Sequence, residues 1–153
     1  MAVGRDQLPT LLPVPGVRLG TVSAGIKTSG RKDLVLLELA PGTVAAAVFT
    51  RNAFCAAPVT VARDNLQATS FRPRYLVVNT GNANAGTGEP GIAAARQCIE
   101  AVASATDVDA TEVLPFSTGV IGEALPVDLI CPAIPGAVEA LSADGWSDAA
   151  GGI

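Results

Sequence analysis

The sequence predicts an α/β (α+β) fold in which sheet layers are flanked by helices. Three observations carry this reading. Strand-length apolar runs punctuated by glycine and proline recur through the first eighty residues. One segment after Pro90 repeats its apolar residues at helical spacing, and another strand-length run, Val113–Phe116, follows it. Strand, loop, helix and strand in that order define the class.

Taken in order, Val17–Ile26 alternates loosely around Gly20 and Gly25 and reads as a strand. Lys27–Asp33 is a polar turn, Leu34–Leu39 a second strand, and Pro41-Gly42 a turn. Val44–Phe49 is apolar and strand-length, completing a meander with a continuously buried middle. Phe54–Ala62 holds a further β-like run after Pro58, and Asp64 is placed to cap a short helix through Gln67. Tyr75–Val78 is a clean strand. Asn79 to Gly88 is nearly all small and polar, so it reads as a surface loop.

Pro90 sits where a first helical turn tolerates proline. Ile92, Ala95, Ile99 and Val102 then share one face, with Arg96 and Glu100 opposite, and the helix should end near Ala105. Val127–Ile130 could begin another helix that Pro132 and Pro135 disrupt. Gly136–Leu141 reads as a short helix, Asp144-Gly145 as a turn and Trp146 as an anchor. Gly151 and Gly152 each cost a helix about 1 kcal/mol relative to alanine.

Composition narrows the function. The 153 residues suit one domain portion spanning 1–153, without internal boundary, repeat or linker. Hydrophobic residues at 49% and charged residues at 16% allow a buried core, and aromatics at 4% mean that Ala, Val, Leu and Ile must build it. The net charge of −4 with scattered basic residues argues against nucleic acid as a partner. Met1–Gly16, broken by three prolines, has no apolar core of a targeting signal, and no run approaches the ~18 residues of a membrane span. Cys55, Cys98 and Cys131 are widely spaced and form no C-x-x-C pair, which fits a reducing cytoplasm. There is no histidine, so no Ser-His-Asp or Cys-His machine can be built from this chain, nor a His-ligated metal site. A general base must be a carboxylate, an amine or a group on another chain.

Several motifs compete. Gly86-Thr87-Gly88-Glu89-Pro90-Gly91 is a literal G-x-G-x-x-G, with Asp107 and Asp109 about twenty residues on. It fails as a dinucleotide site because Asn79–Ala85 separate it from the strand end and the acids fall in a loop. Gly25–Lys32 echoes a phosphate loop, but Arg31-Lys32 stands where Lys followed by Ser or Thr is required, so it reads as a turn. Cys55 reads as a small structural thiol, and Asp107, Asp109 and Glu112 as solvated loop charges. Asn82 and Asn84, flanked by glycines, are either an Asx-turn tangle or the wall of an active site. Ser117-Thr118-Gly119 follows an apolar run, which presents hydroxyls and a bare backbone N–H together. Such a group holds a developing oxyanion or phosphate, or it is a turn whose hydroxyls satisfy their own backbone.

Several stretches together resemble one family. They are Phe49-Thr50-Arg51-Asn52, Ala56-Ala57-Pro58-Val59, the run from Val77 to Gly88, the run from Leu114 to Gly122, Leu125-Pro126 and Ala140 to Trp146. In this order they resemble the N-terminal part of the ornithine acetyltransferases, the bifunctional glutamate N-acetyltransferases of arginine biosynthesis. The resemblance covers essentially the whole chain.

It implies a precursor that cuts itself into α and β chains, with the new N-terminal threonine of β as nucleophile and its own amine as base. That threonine would carry acetyl from N-acetylornithine to glutamate. The family's Thr-Gly oxyanion hole maps onto Thr118 and Gly119, and acetyl-CoA is a possible co-substrate; no other cofactor is implied. The expected partners are the remainder of the precursor and its β chain, in αβ pairs that assemble to a heterotetramer in the cytoplasm, with no nucleic acid and no membrane. The family's Met-Thr-Thr-Asp-Thr motif, substrate-binding lysine and cleavage site have no counterpart here. The chain therefore reads as an α portion, incomplete and inactive alone, either a split subunit or a fragment. Pro132 and Gly151-Gly152 depart from the family pattern and motivate the alternative of a non-catalytic module with the same fold.

Overall fold

The computed structural model describes residues 11–153. The reading of Met1–Gly16 as lacking a signal core falls largely on residues outside that range. The elements are β1 (Val17–Val22), β2 (Leu34–Leu39), α1 (Ala57–Ala68), β3 (Tyr75–Asn82), α2 (Gly88–Thr106), β4 (Val113–Val120), α3 (Val127–Glu139) and α4 (Trp146–Gly152), with one 3-10 turn at Ala110–Glu112 before β4. The strands form one sheet in the order β1-β2-β3-β4. β1, β2 and β3 are antiparallel neighbours, whereas β4 runs parallel to β3 after the crossover through α2.

Alternation along each strand sorts the side chains between two faces. Leu34, Leu36, Val77 and Val113 turn to one face, where α2 supplies Ala95, Ile99 and Val102 and α3 supplies Ile130, Ile134 and Ala137. All of these are buried, and this layer is the main core. Leu19 and Val35 turn to the other face against Ala149 and the half-buried Trp146 of α4, so Trp146 anchors as expected. Leu114 on that face meets Ala62 and Leu66 of α1. No helix among the described residues is long and apolar enough to cross a membrane.

Several elements depart from the sequence reading for identifiable reasons. β1 ends at Val22, short of the predicted Ile26. Val44–Phe49 forms no strand, and instead of being buried it leaves Val48 99% exposed. Ala45 N–H donates to the Phe71 carbonyl at 2.8 Å, and the segment walls a largely apolar cavity of about 460 Å³ with α1 and β4.

The β-like run after Pro58 is helix α1. Proline occupies its first turn, and Ala57, Val61, Ala62, Asn65 and Leu66 form the buried stripe, so Asp64 lies inside the helix rather than capping it. α3 runs unbroken through Pro132 and Pro135, absorbing the separate helix expected at Gly136–Leu141. Both prolines are exposed, so the Asp128 and Cys131 carbonyls lose their helical donors on the outer side of the helix. Gly151 and Gly152 are helical too. Gly152 is buried, and a Cβ there would stand 3.1 Å from Thr21 Cγ2 and 3.3 Å from Val35 Cγ2, so the missing side chain lets α4 lie close on the sheet.

The stretch read as a surface loop departs most. β3 continues through Asn82, and Asn79, Thr80, Asn82 and Asn84 are all buried. Parallel pairing with β4 extends through Gly81↔Gly119, carrying polar residues into the sheet.

Candidate active site

β4 delivers Ser117, Thr118 and Gly119 to the carboxyl ends of the two parallel strands, the end at which open α/β sheets bind ligands. The three residues separate by direction. Ser117 is half-buried, and its Oγ donates to Asn79 Oδ1 at 2.5 Å, whereas Thr118 and Gly119 are exposed. The hydroxyl pair is therefore not a self-satisfied turn.

Gly119 has φ 135°, in the region that favours glycine. A Cβ on it would overlap the Gly81 carbonyl carbon and come within 2.6 Å of the Asn82 nitrogen. Gly81, at φ 97°, is tight on its other side: a Cβ there would be 2.8 Å from Lys27 Cγ and 3.3 Å from Ile26 Cγ2. The register shifts between Gly81 and Asn82, a bulge that bends strand ends and re-aims their groups. Beyond it, Ala83 N–H donates to the Val120 carbonyl at 2.9 Å and Gly122 N–H to the Ala85 carbonyl at 2.8 Å, so the two chains stay joined.

Three buried asparagines hold this end of the sheet. Asn79 Nδ2 donates to the Asn82 carbonyl at 2.8 Å. Asn82 Nδ2 donates to the carbonyls of Ala124 at 3.0 Å and Glu123 at 3.3 Å, and its Oδ1 accepts the Asn84 N–H at 2.8 Å. Asn84 Nδ2 donates to the Gly91 carbonyl at 2.9 Å, and its Oδ1 accepts the Thr87 hydroxyl at 2.8 Å. Buried amides with both ends satisfied rigidify what they connect. Asn82 and Asn84 thus face inward, behind the surface that carries Thr118 and Gly119.

The same geometry explains the G-x-G-x-x-G run. A Cβ on Gly91 would stand 2.6 Å from Asn84 Oδ1, so this glycine lets α2 seat on Asn84. Asp107 is the left-handed C-cap of α2, and Asp109 forms a capping box with Glu112 on the 3-10 turn. Hydrogen bonds from the Thr111 hydroxyl and then its N–H hold the Asp109 carboxyl below its usual range.

Among the cysteines, burial pushes the Cys98 thiol well up, and Cys55 Sγ accepts from Arg63 Nη2 at 3.8 Å. No group of three or more metal-ligating side chains comes together among the described residues.

One organising residue escaped the sequence reading. Asp33 closes the turn before β2: its Oδ1 accepts the Ala24 N–H at 2.6 Å and its Oδ2 the Ile26 N–H at 2.7 Å, while the residue is only 3% exposed. An acidic residue at the end of a polar turn is the only sequence sign of it. Lys27, on the loop so ordered, pairs with Glu123 on the segment that follows Gly119.

This arrangement has the mixed α/β fold of the ornithine acetyltransferases. The crystal structure of ornithine acetyltransferase complexed with ornithine from Mycobacterium tuberculosis matches at TM-score 0.78 and 40% identity, over 86% of this chain and 69% of that one. The arginine biosynthesis bifunctional protein ArgJ of Bacillus halodurans matches at TM-score 0.74 and 34% identity, over 79% of this chain and 62% of that one. The ArgJ family pattern covers residues 18–153, and the chain belongs to the ArgJ family.

The arginine biosynthesis bifunctional protein ArgJ of Pseudomonas syringae pv. tomato is 59% identical over all 153 residues, and that of Methylococcus capsulatus is 59% identical over 143. The chain spans 37% of the length of the first and 34% of the second, and corresponds to their N-terminal portion.

Proposed function

We propose that this chain is the α-side portion of an arginine-biosynthesis acetyltransferase that moves acetyl from N-acetylornithine to glutamate. The observation that carries the reading is the exposed Thr118-Gly119 pair at the end of β4, set by the close approach of Gly119 to Gly81. In the assembled enzyme, the N-terminal threonine of the β chain attacks the acetyl carbonyl while its own amine, with an unperturbed pKa of about 7.7–8.0, takes the proton.

The carbonyl oxygen becomes an oxyanion, and the Thr118 hydroxyl and Gly119 N–H donate to it. Collapse breaks the bond to the ornithine nitrogen, which leaves protonated, and an acetyl-threonine ester remains. The glutamate amine then attacks that ester through a second tetrahedral intermediate in the same hole, and the threonine leaves. Since an amine serves as base, a chain without histidine suffices. A partner chain and a further αβ pairing complete the assembly, and acetyl-CoA is a possible second acetyl donor.

Thr118→Ala in the assembled enzyme is expected to lower kcat by roughly 10²–10³-fold with little change in KM, because the donated hydrogen bond strengthens only as the oxyanion forms. Steady-state kinetics with N-acetylornithine and glutamate measure this, and an unchanged kcat would remove Thr118 from the role. The 153-residue chain alone is expected to give no turnover in the same assay. The alternative, a non-catalytic module, rests on Pro132 and Gly151-Gly152. α3 and α4 accommodate these residues without a break, as that alternative also requires, so the turnover assay of the assembled enzyme separates the two readings.

A further inference from the structure

We propose that Lys27 is a positioning residue that sets the backbone of Gly119 through an ion pair closed around the Gly81–Gly119 contact. The inference rests on the reading of Thr118-Gly119 as the oxyanion site and adds to it a charged pair outside that site.

The Lys27 stem covers Gly81: the place a Gly81 Cβ would occupy is 2.8 Å from Lys27 Cγ. Gly81 in turn backs Gly119, whose own Cβ position falls on the Gly81 and Asn82 backbone. The Lys27 head pairs with Glu123, four residues beyond Gly119 on the outgoing chain. Lys27 therefore links the backbone at Gly81, which its stem covers, to the segment leaving β4, which its head holds.

Both ends of this pair stand on buried anchors. On the lysine side, the Asp33 carboxylate holds the Ala24 and Ile26 N–H groups, and the Asp33 carbonyl accepts the Thr80 N–H at 2.9 Å, one residue from Gly81. On the glutamate side, buried Asn82 holds the carbonyls of Glu123 and Ala124, and Gly122 N–H is bonded to the Ala85 carbonyl.

An ion pair with side chains 43% and 50% exposed adds little to overall stability. Its effect here is geometric. Two glycines with positive φ have no side chains of their own to fix them, and a small displacement of a catalytic donor is enough to cost rate. The molecule holds its own comparison: Lys32–Asp148 is another exposed pair, at 45% and 66%, that links the β1–β2 turn to α4 instead of the strand ends.

The test is made in the enzyme assembled from this chain and the remainder of the family's length. Lys27→Met keeps the stem over Gly81 and removes the charge. It is expected to lower kcat about tenfold or more, with KM for N-acetylornithine and glutamate within about twofold of wild type and an unshifted Tm. Glu123→Gln, which opens the same pair from the other end, should share the deficit. Lys27→Arg should recover most of the rate, and Lys32→Met should leave it unchanged.

Raising salt should lower the wild-type kcat more than that of Lys27→Met, since exposed pairs are screened. The proposal is overturned by wild-type kcat in Lys27→Met, by a deficit that Glu123→Gln does not share, by equal losses in Lys32→Met, or by a raised KM at unchanged kcat. The last result would make Lys27 a holder of the substrate carboxylate. Full activity in Thr118→Ala would instead bring down the oxyanion reading beneath it.

Discussion

Gly119→Ala in the assembled enzyme is expected to lower kcat by about 10²–10³-fold, as much as loss of an oxyanion donor, although alanine keeps the N–H. The added methyl would overlap the Gly81 carbonyl carbon and stand 2.6 Å from the Asn82 nitrogen. Neither atom is the end of a flexible side chain. Both belong to β3, whose last residues are held by the buried amides of Asn79 and Asn82. The φ of 135° also disfavours any L side chain. The end of β4 must therefore give way, and the N–H turns from the oxygen it should meet.

Kinetics with N-acetylornithine and glutamate measure the loss, and circular dichroism checks that the sheet survives. A Gly119→Ala enzyme with near-wild-type kcat would show that the Gly81–Gly119 contact does not set the donor. Since Thr118 and Gly119 serve one oxygen, the double variant Thr118→Ala/Gly119→Ala should lose less than the product of the single losses.

The strands with ordinary chemistry were legible in the sequence. Leu34–Leu39 occupies β2 as read, and the helix expected from Pro90 to near Ala105 is α2 at Gly88–Thr106. Three other stretches misled, each because tertiary context outweighed a local signal. Val59, Thr60 and Val61 favour strands by their branching, yet the i, i+4 spacing of Ala57, Val61, Ala62 and Leu66 lets α1 pack on β4. Val44–Phe49 is apolar, but it pairs with neither edge strand of the sheet and instead lines the cavity beside α1 and β4. Asn79–Asn82 looks like a loop because an isolated strand gains nothing from burying amides. The gain arises when Ser117, Asn84 and the 123–124 carbonyls satisfy them.

The site divides in the same way. A hydroxyl beside a glycine after an apolar run marks Thr118-Gly119 in one dimension. Gly81, Lys27 and Asp33 lie 38, 92 and 86 residues earlier, and only the sheet register and the 23–33 turn bring them to it.

Asn82→Asp should show how far this end of the fold depends on one amide. The change is nearly isosteric, and Oδ1 can still accept the Asn84 N–H. The other end of the side chain reverses its chemistry: an amide that donated to the Ala124 and Glu123 carbonyls becomes a carboxylate oxygen facing two acceptors. At 1% exposure the side chain is shielded from bulk solvent. An uncompensated buried charge of this kind costs about 3–5 kcal/mol.

The penalty depends on pH with a definite sign. Burial and the facing carbonyls disfavour the ionised form, so the folded-state pKa of the new carboxyl is raised above its unfolded value of about 3.9. Below that unfolded value the carboxyl is protonated in both states and can donate to one carbonyl, so the loss is small. The loss grows as pH rises from about 4 through the raised folded value and then levels off. Urea midpoints for variant and wild type, compared at pH 4 and pH 7.5, measure the difference, and an equal gap at both pH values would mean that charge is not its source. Asn82 also orders the carbonyls of Glu123 and Ala124, so the assembled variant should lose kcat where it remains folded, the same direction as expected for Glu123→Gln.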